Sequence, residues 1–240
     1  MRIIYYVITL AAIAVVCLLT YQKTLELKDL GVACLGLFGT FLGATVAFRL
    51  NQQKEEREVR AKQHAALNRA LFVLVRQQNA LTQLRSDFEK YSDDFSAAFN
   101  MPASKPPEYA GLKQDFASLE FMLQSHSPNT LFKLTIEQER FEQAIDSLRI
   151  RNDFYVNEVQ KAISDASLNK KVVTPTEVEM LFGQRLYGGA INGAKTARTH
   201  ICATHQSIPV MLTELRQVAK ELFPKHKFVS YVPTETTKSA

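Results

Sequence analysis

The sequence predicts an all-α protein, in which an N-terminal transmembrane helical hairpin continues into a cytoplasmic bundle of long helices. Three observations carry this. Two runs, Ile3–Gln22 and Leu30–Phe48, hold no charged side chain. Apolar residues then recur at helical spacing, and the chain from Arg49 to Phe99 contains neither proline nor glycine. The expected division is a hairpin over residues 1–50, with spans at about 3–22 and 30–50, a cytoplasmic helical domain over 51–228, and a flexible tail over 229–240.

Each apolar run is long enough to span lipid, because ~20 helical residues cross a ~30 Å hydrocarbon core. The first run begins like a signal peptide, but it leaves through "LLTYQKTLELK" with no small-x-small cleavage site, and a cleaved apolar region is shorter. A retained helix is the expectation. Arg49, Lys54, Arg57, Arg60 and Lys62 crowd the exit of the second run, whereas the turn between the runs carries only Lys23 and Lys28. Cytoplasmic flanks are enriched in Lys and Arg, which places both termini inside. Cys17 and Cys34 fall within the spans, and Cys202 alone remains for the soluble part, a usage that suits a reducing compartment.

Within "GLFGTFLGATVAF", Gly36, Gly39, Thr40, Gly43 and Ala47 share one helical arc, opposite Leu35, Phe38, Phe41, Leu42 and Val46. In lipid, helices associate where small residues let backbones approach closely. This stripe is expected to pack against the first span or against a second copy of the chain.

Past the membrane, Leu67, Leu71, Leu74, Leu81, Phe88, Tyr91, Phe95 and Phe99 recur at spacings near three, four and seven, so one helix is expected from the bilayer to Phe99. "NMPASKPPEY" stops it. A shorter helix is expected over "YAGLKQDFASLEFMLQ", broken by "SHSPN", then a third from Thr130 to Leu168 with Leu134, Phe141, Ile145, Leu148, Tyr155, Val159 and Ile163 on one side. Thr174-Pro175-Thr176-Glu177 is a start signal that combines an N-cap, a proline at the first helical position and a glutamate at the third. "VEMLFGQRLY" follows as helix. "GGAING" reads as a weak point, a turn or a close helix crossing. Ala194 to Phe223 is again helical, with a kink expected at Pro209. "FVSYV" suits a short extended piece.

Charge alternates along the chain: residues 51–86 carry net +4, 87–165 net −6 and 170–227 net +5. Two readings stand. The acidic middle packs against the basic flanks, or a basic face turns toward anionic lipid or nucleic acid.

No catalytic constellation emerges, so the sequence gives no reason to expect an enzyme, a small-molecule substrate, a cofactor or a metal. "GGAINGAKT" departs from a phosphate-binding loop by the extra Ala194 and lacks a preceding strand. His200 and His205 stand well apart around a helix, and a structural zinc site wants four ligands.

The order of a hairpin, then "AFRLNQQKEEREVRAKQHAALNRALFVLVRQ", then a helical domain resembles the two-span membrane effectors of bacterial retron anti-phage defence systems. That resemblance covers the layout of the whole chain and rests on no diagnostic motif. It implies an inner-membrane protein that disturbs the membrane when its cytoplasmic domain is released. It also implies a partner complex of reverse transcriptase with its RNA–DNA product. The alternative is a membrane-anchored helical scaffold with no toxic activity.

Overall fold

The computed structural model describes residues 27–104, 110–124, 127–168 and 173–230, together with Ile13, Ala14 and Cys17. The chain divides into two units, Met1–Arg60 and Ala61–Ala240. The regular elements are α1 (Leu27–Glu89), α2 (Asp94–Phe99), α3 (Pro128–Phe154), a π-helical turn (Tyr155–Val159), α4 (Gln160–Asp165) and α5 (Pro175–Leu222). Two 3-10 turns, Ala110–Leu112 and Ala117–Gln124, lie between α2 and α3. Among the described residues there is no strand, so the all-α expectation holds.

Alternating steps of three and four residues generate the core of the second unit. On α1 one buried series is Leu67, Ala70, Leu74, Gln77, Leu81, Leu84 and Phe88, with Ala66, Leu71, Val73 and Gln78 buried beside it. On α3 it is Thr130, Leu134, Glu137, Phe141, Ala144, Leu148 and Arg151, with Leu131, Gln138, Ile145 and Asn152 beside it. On α5 it runs from Ala190 through Ala194, Ala197, Ile201, Thr204, Ile208 and Met211 to Leu215 and Val218. A repeat of this period keeps one face of a helix turned to its neighbours over many turns. The small residues at the start of the α5 series and the bulky ones at its end set how closely its partners approach.

Polar residues interrupt this seam and bond to one another and to backbone carbonyls. Their donors are satisfied, while Gln77 Oε1 and Gln114 Oε1 are left without a partner among the described residues. Gln77 Nε2 donates to Leu112 O at 2.7 Å and to Gln138 Oε1 at 2.9 Å. Gln114 donates its backbone N–H to the same Gln138 oxygen at 3.2 Å and its amide to Ala70 O at 3.2 Å. These bonds account for the irregular path of 110–124, where a continuous helix was expected. The Gln114 backbone N–H goes to α3 rather than to a carbonyl of its own segment, and 3-10 turns flank it.

The ends follow local chemistry. α1 stops at Glu89, short of the expected Phe99, because Asp93 takes over as an N-cap and accepts from Ser96 N at 2.6 Å. Phe95 and Phe99 keep their place against the core on the separate α2. Thr174 forms the full capping box with Glu177, whose carboxylate accepts from Thr174 N at 2.8 Å. The Glu177 carboxyl is held below its ordinary range by that backbone bond first and by the Thr174 hydroxyl second.

The third helix matches its expected span, but a π-helical turn interrupts it at Tyr155–Val159. In α5 the break falls at Gly183 (φ 71°, ψ 163°), not at Gly188–Gly193, and Pro209 lies inside the helix with helical dihedrals. Phe228 and Val229 pack on the core, and Val229 N donates to Asn68 Oδ1 at 3.1 Å. Residues 231–240, most of the expected tail, lie outside the described residues.

Among the described residues no helix is long and apolar enough to cross a membrane. The first expected span lies outside them except for Ile13, Ala14 and Cys17, which are helical. The described helices therefore do not establish the expected transmembrane hairpin.

Candidate functional site

Two features of the chain stand outside ordinary core packing. The first is the surface of α1 from Leu35 to Leu50. Leu35 is 73% exposed, Phe38 62% and Phe48 65%, and Leu37, Phe41, Leu42, Val46 and Leu50 are exposed as well. The helix is thus apolar on every side, with large side chains over most of its girth and the small-residue stripe on the rest. Arg49 is the only charge from Leu35 to Leu50. A helix apolar on every side is stable only when buried in protein or lipid.

The five stripe residues Gly36, Gly39, Thr40, Gly43 and Ala47 lie on this segment and are exposed. A Cβ added to Gly36, Gly39 or Gly43 would meet nothing within 4 Å. Among the described residues, therefore, no side chain or neighbouring helix fills the stripe. The Thr40 hydroxyl donates to Leu37 O at 2.9 Å and the Thr45 hydroxyl to Phe41 O at 2.8 Å. Both hydroxyls are satisfied within the helix and present little polarity outward.

The second feature is a close crossing inside the helical domain. Gly188, Gly189 and Gly193 form no loop; they lie within α5. A Cβ on Gly189 would stand 2.9 Å from Cζ of Phe154, and one on Gly193 would stand 3.7 Å from Cβ of Arg151. With glycine at 189, α5 approaches the Phe154 ring at the end of α3 more closely than a Cβ would allow without moving that ring. A cavity of about 10 Å³ remains there, bounded by Arg151, Phe154, Tyr155, Val159 and Gly189 among others.

Beside it, Arg151 is buried without a carboxylate. Its Nη2 donates to Ala97 O at 2.7 Å and Met101 O at 2.5 Å, and its Nη1 to Asn152 Oδ1 at 3.0 Å. The guanidinium also lies 4.8 Å from the centre of the Tyr155 ring. Burial pushes the Arg151 pKa down from its ordinary value, while Tyr155 and Tyr91 act in the opposite sense. Five N–H donors in a fixed fork let Arg close the C-terminal end of α2 in a way that Lys could not. Sequence reading missed this residue. The available signal was its place in the three-four series after Phe141, Ala144 and Leu148.

Ion pairs join the charge blocks within the domain. Arg69 meets Asp115 at 3.7 Å, Arg185 meets Glu158 at 2.9 Å and Arg198 meets Asp94 at 3.2 Å. Lys133 and Glu214 pair in the opposite sense at 2.9 Å. Packing of the acidic middle against the basic flanks is thus seen at named contacts, though the exposed pairs among them contribute little stability each.

The remaining candidates do not assemble into chemistry. His205 sits between Thr82 Oγ1 at 3.2 Å and Arg85 Nη1 at 3.4 Å. A neighbouring guanidinium disfavours a cation there. Among the described residues no group of three or more His, Cys, Asp or Glu side chains could hold a metal. "GGAINGAKT" is helical throughout, so its amides are spent on the helix ladder and cannot cradle a phosphate. His126 lies outside the described residues. Comparison of the chain with protein-family models, with curated proteins and with solved structures finds no match.

Proposed function

We propose that the chain is a two-span protein of the bacterial inner membrane, multi-pass with both termini cytoplasmic, whose helical domain restrains a membrane-disturbing N-terminal hairpin. The observation that carries the membrane part is the all-round apolar surface of α1 from Leu35 to Leu50. In water, exposing it is costly at roughly 25 cal/mol per Å² of apolar area; in lipid that cost vanishes. The basic run of Arg49, Lys54, Arg57, Arg60 and Lys62 directly after it supports a cytoplasmic exit. The stripe at Gly36, Gly39, Thr40, Gly43 and Ala47, which no described residue fills, supports self-association through the second span. A Gly43→Leu substitution is expected to weaken association in a membrane two-hybrid assay.

The effector role and its partner, a reverse transcriptase with its RNA–DNA product, rest on the resemblance of the layout to retron effectors. A second reading, a membrane-anchored helical scaffold, is favoured by the Thr40 and Thr45 hydroxyls. Both are bonded to their own helix, which leaves little to line an aqueous path. Induction of the chain without any partner, with membrane potential followed by a dye, separates the two. Rapid depolarisation is the effector outcome, and unchanged potential at high expression is the scaffold outcome.

A further inference from the structure

The C-terminal segment beyond α5 is fastened to α1 by a cluster of rings. The His64 ring centre lies 4.7 Å from that of His226, 5.0 Å from Phe228 and 5.8 Å from Phe223. His64 Nε2 lies 3.3 Å from Lys227 O, and Asn68 Oδ1 accepts from Val229 N at 3.1 Å. The fastening gathers cations at one end of the helical domain. Lys225 and Lys227 flank His226, Lys220 lies three residues before Phe223, and Lys62 lies two before His64. All four are exposed. None has an ion-pair partner among the described residues. Of the nearest acids in α5, Glu214 is engaged by Lys133 at 2.9 Å. Glu221 is exposed beside the cluster and accepts from Gln217 Nε2 at 3.0 Å, and Glu58, four residues before Lys62, is exposed and pairs with Lys54 at 4.0 Å. The local balance is therefore positive.

We infer that this lysine end is a docking face for the anionic headgroups of the cytoplasmic leaflet. The inference rests on the membrane-anchored reading, because Lys62 follows Leu50 by only twelve residues in the sequence. Anionic leaflets attract such lysines over about a Debye length, ~8 Å at physiological salt. Nucleic acid would draw on the same charges, but chain connectivity ties Lys62 to the expected bilayer exit, which favours lipid. The ring cluster adds what a loose basic tail lacks, a fixed platform that holds Lys225 and Lys227 on the surface of the domain.

The test uses the full chain reconstituted in nanodiscs of phosphatidylcholine alone or of phosphatidylcholine with phosphatidylglycerol. Hydrogen exchange of the amides in 223–230 is followed in each. Exchange is expected to slow about tenfold in the anionic discs, with the difference lost at high salt. Substituting Lys220→Gln, Lys225→Gln and Lys227→Gln together abolishes the difference, whereas Arg at the same three positions preserves it. Equal exchange in both lipids, with the chain inserted, overturns the docking face and leaves anchoring intact. Protection that appears with added single-stranded nucleic acid but not with phosphatidylglycerol also overturns it. A chain that fails to insert into phosphatidylcholine discs overturns the anchoring reading itself.

Discussion

Gly189 faces the Phe154 ring so closely that an added Cβ would stand 2.9 Å from its Cζ atom. Glycine inside a helix ordinarily costs stability relative to alanine, by about 0.5–1 kcal/mol. At Gly189 the sign is reversed, because the methyl group must displace a half-buried ring. Gly189→Ala is expected to destabilise the domain by ~1 kcal/mol and Gly189→Val by ~1–3 kcal/mol. Gly193→Ala, with ordinary contact distances around it, is expected to be neutral or stabilising. Denaturant melts of the three variants check the order, and Phe154→Leu should relieve the cost of Gly189→Ala.

Gly183 holds φ 71° and ψ 163°, a region essentially closed to residues with a Cβ. Gly183→Ala is expected to cost ~1–3 kcal/mol. The loss should be local, since Val178 and Phe182 on the N-terminal side are the side chains held in place by the bend. Phe182 lies 6.2 Å from Phe99 between ring centres. Faster hydrogen exchange confined to 175–183 is the expected result, and unchanged protection there would contradict it.

Arg151 closes several carbonyls at once. Arg151→Met is expected to destabilise by ~2–4 kcal/mol, because Ala97 O and Met101 O lose a charged donor. Arg151→Lys should recover part of that loss but not all, since an ammonium cannot reproduce the fork. Thermal melts of both variants, with retained helicity by circular dichroism, check the ranking.

The pKa of His205 is depressed below its ordinary 6.5 by burial first and by Arg85 second, with Glu89 opposing. The unfolded chain therefore takes up a proton before the folded one does. Stability from this group is complete above the ordinary histidine range and is lost as pH falls through 6.5 toward the folded value. The melting temperature is expected to decline between pH ~7 and ~5.5, and His205→Gln should flatten the decline. An unchanged slope in that variant would show that other groups cause it.

The long helices were legible because their buried positions recur at three and four residues, a pattern that Leu67, Leu74 and Leu81 carry openly. The start at Thr174 was legible because capping is a local interaction. Three other features depend on distant partners. α1 ends at Glu89 because Asp93 caps the next helix, and no proline or glycine marks the place. Residues 110–124 leave the α-helical path because Gln114 bonds across to Ala70 and Gln138. The break falls at Gly183, inside a stretch that reads as plain helix, and "GGAING" is the close crossing, one of the readings open for it. A glycine in sequence does not tell a hinge from a crossing until the facing side chain, here Phe154, is known. The candidate site was legible in its composition, as an apolar run with a small-residue stripe. Arg151 was not, because an arginine on a helix reads as solvated until its carbonyl partners are folded around it.

Lipid is the proposed cover of the apolar surface of α1 from Leu35 to Leu50. Alkaline carbonate extraction of cell membranes, followed by flotation, decides whether it is. A lipid-covered chain is expected to stay in the floating membrane fraction after extraction. Recovery of the intact chain in the carbonate-soluble fraction would contradict it.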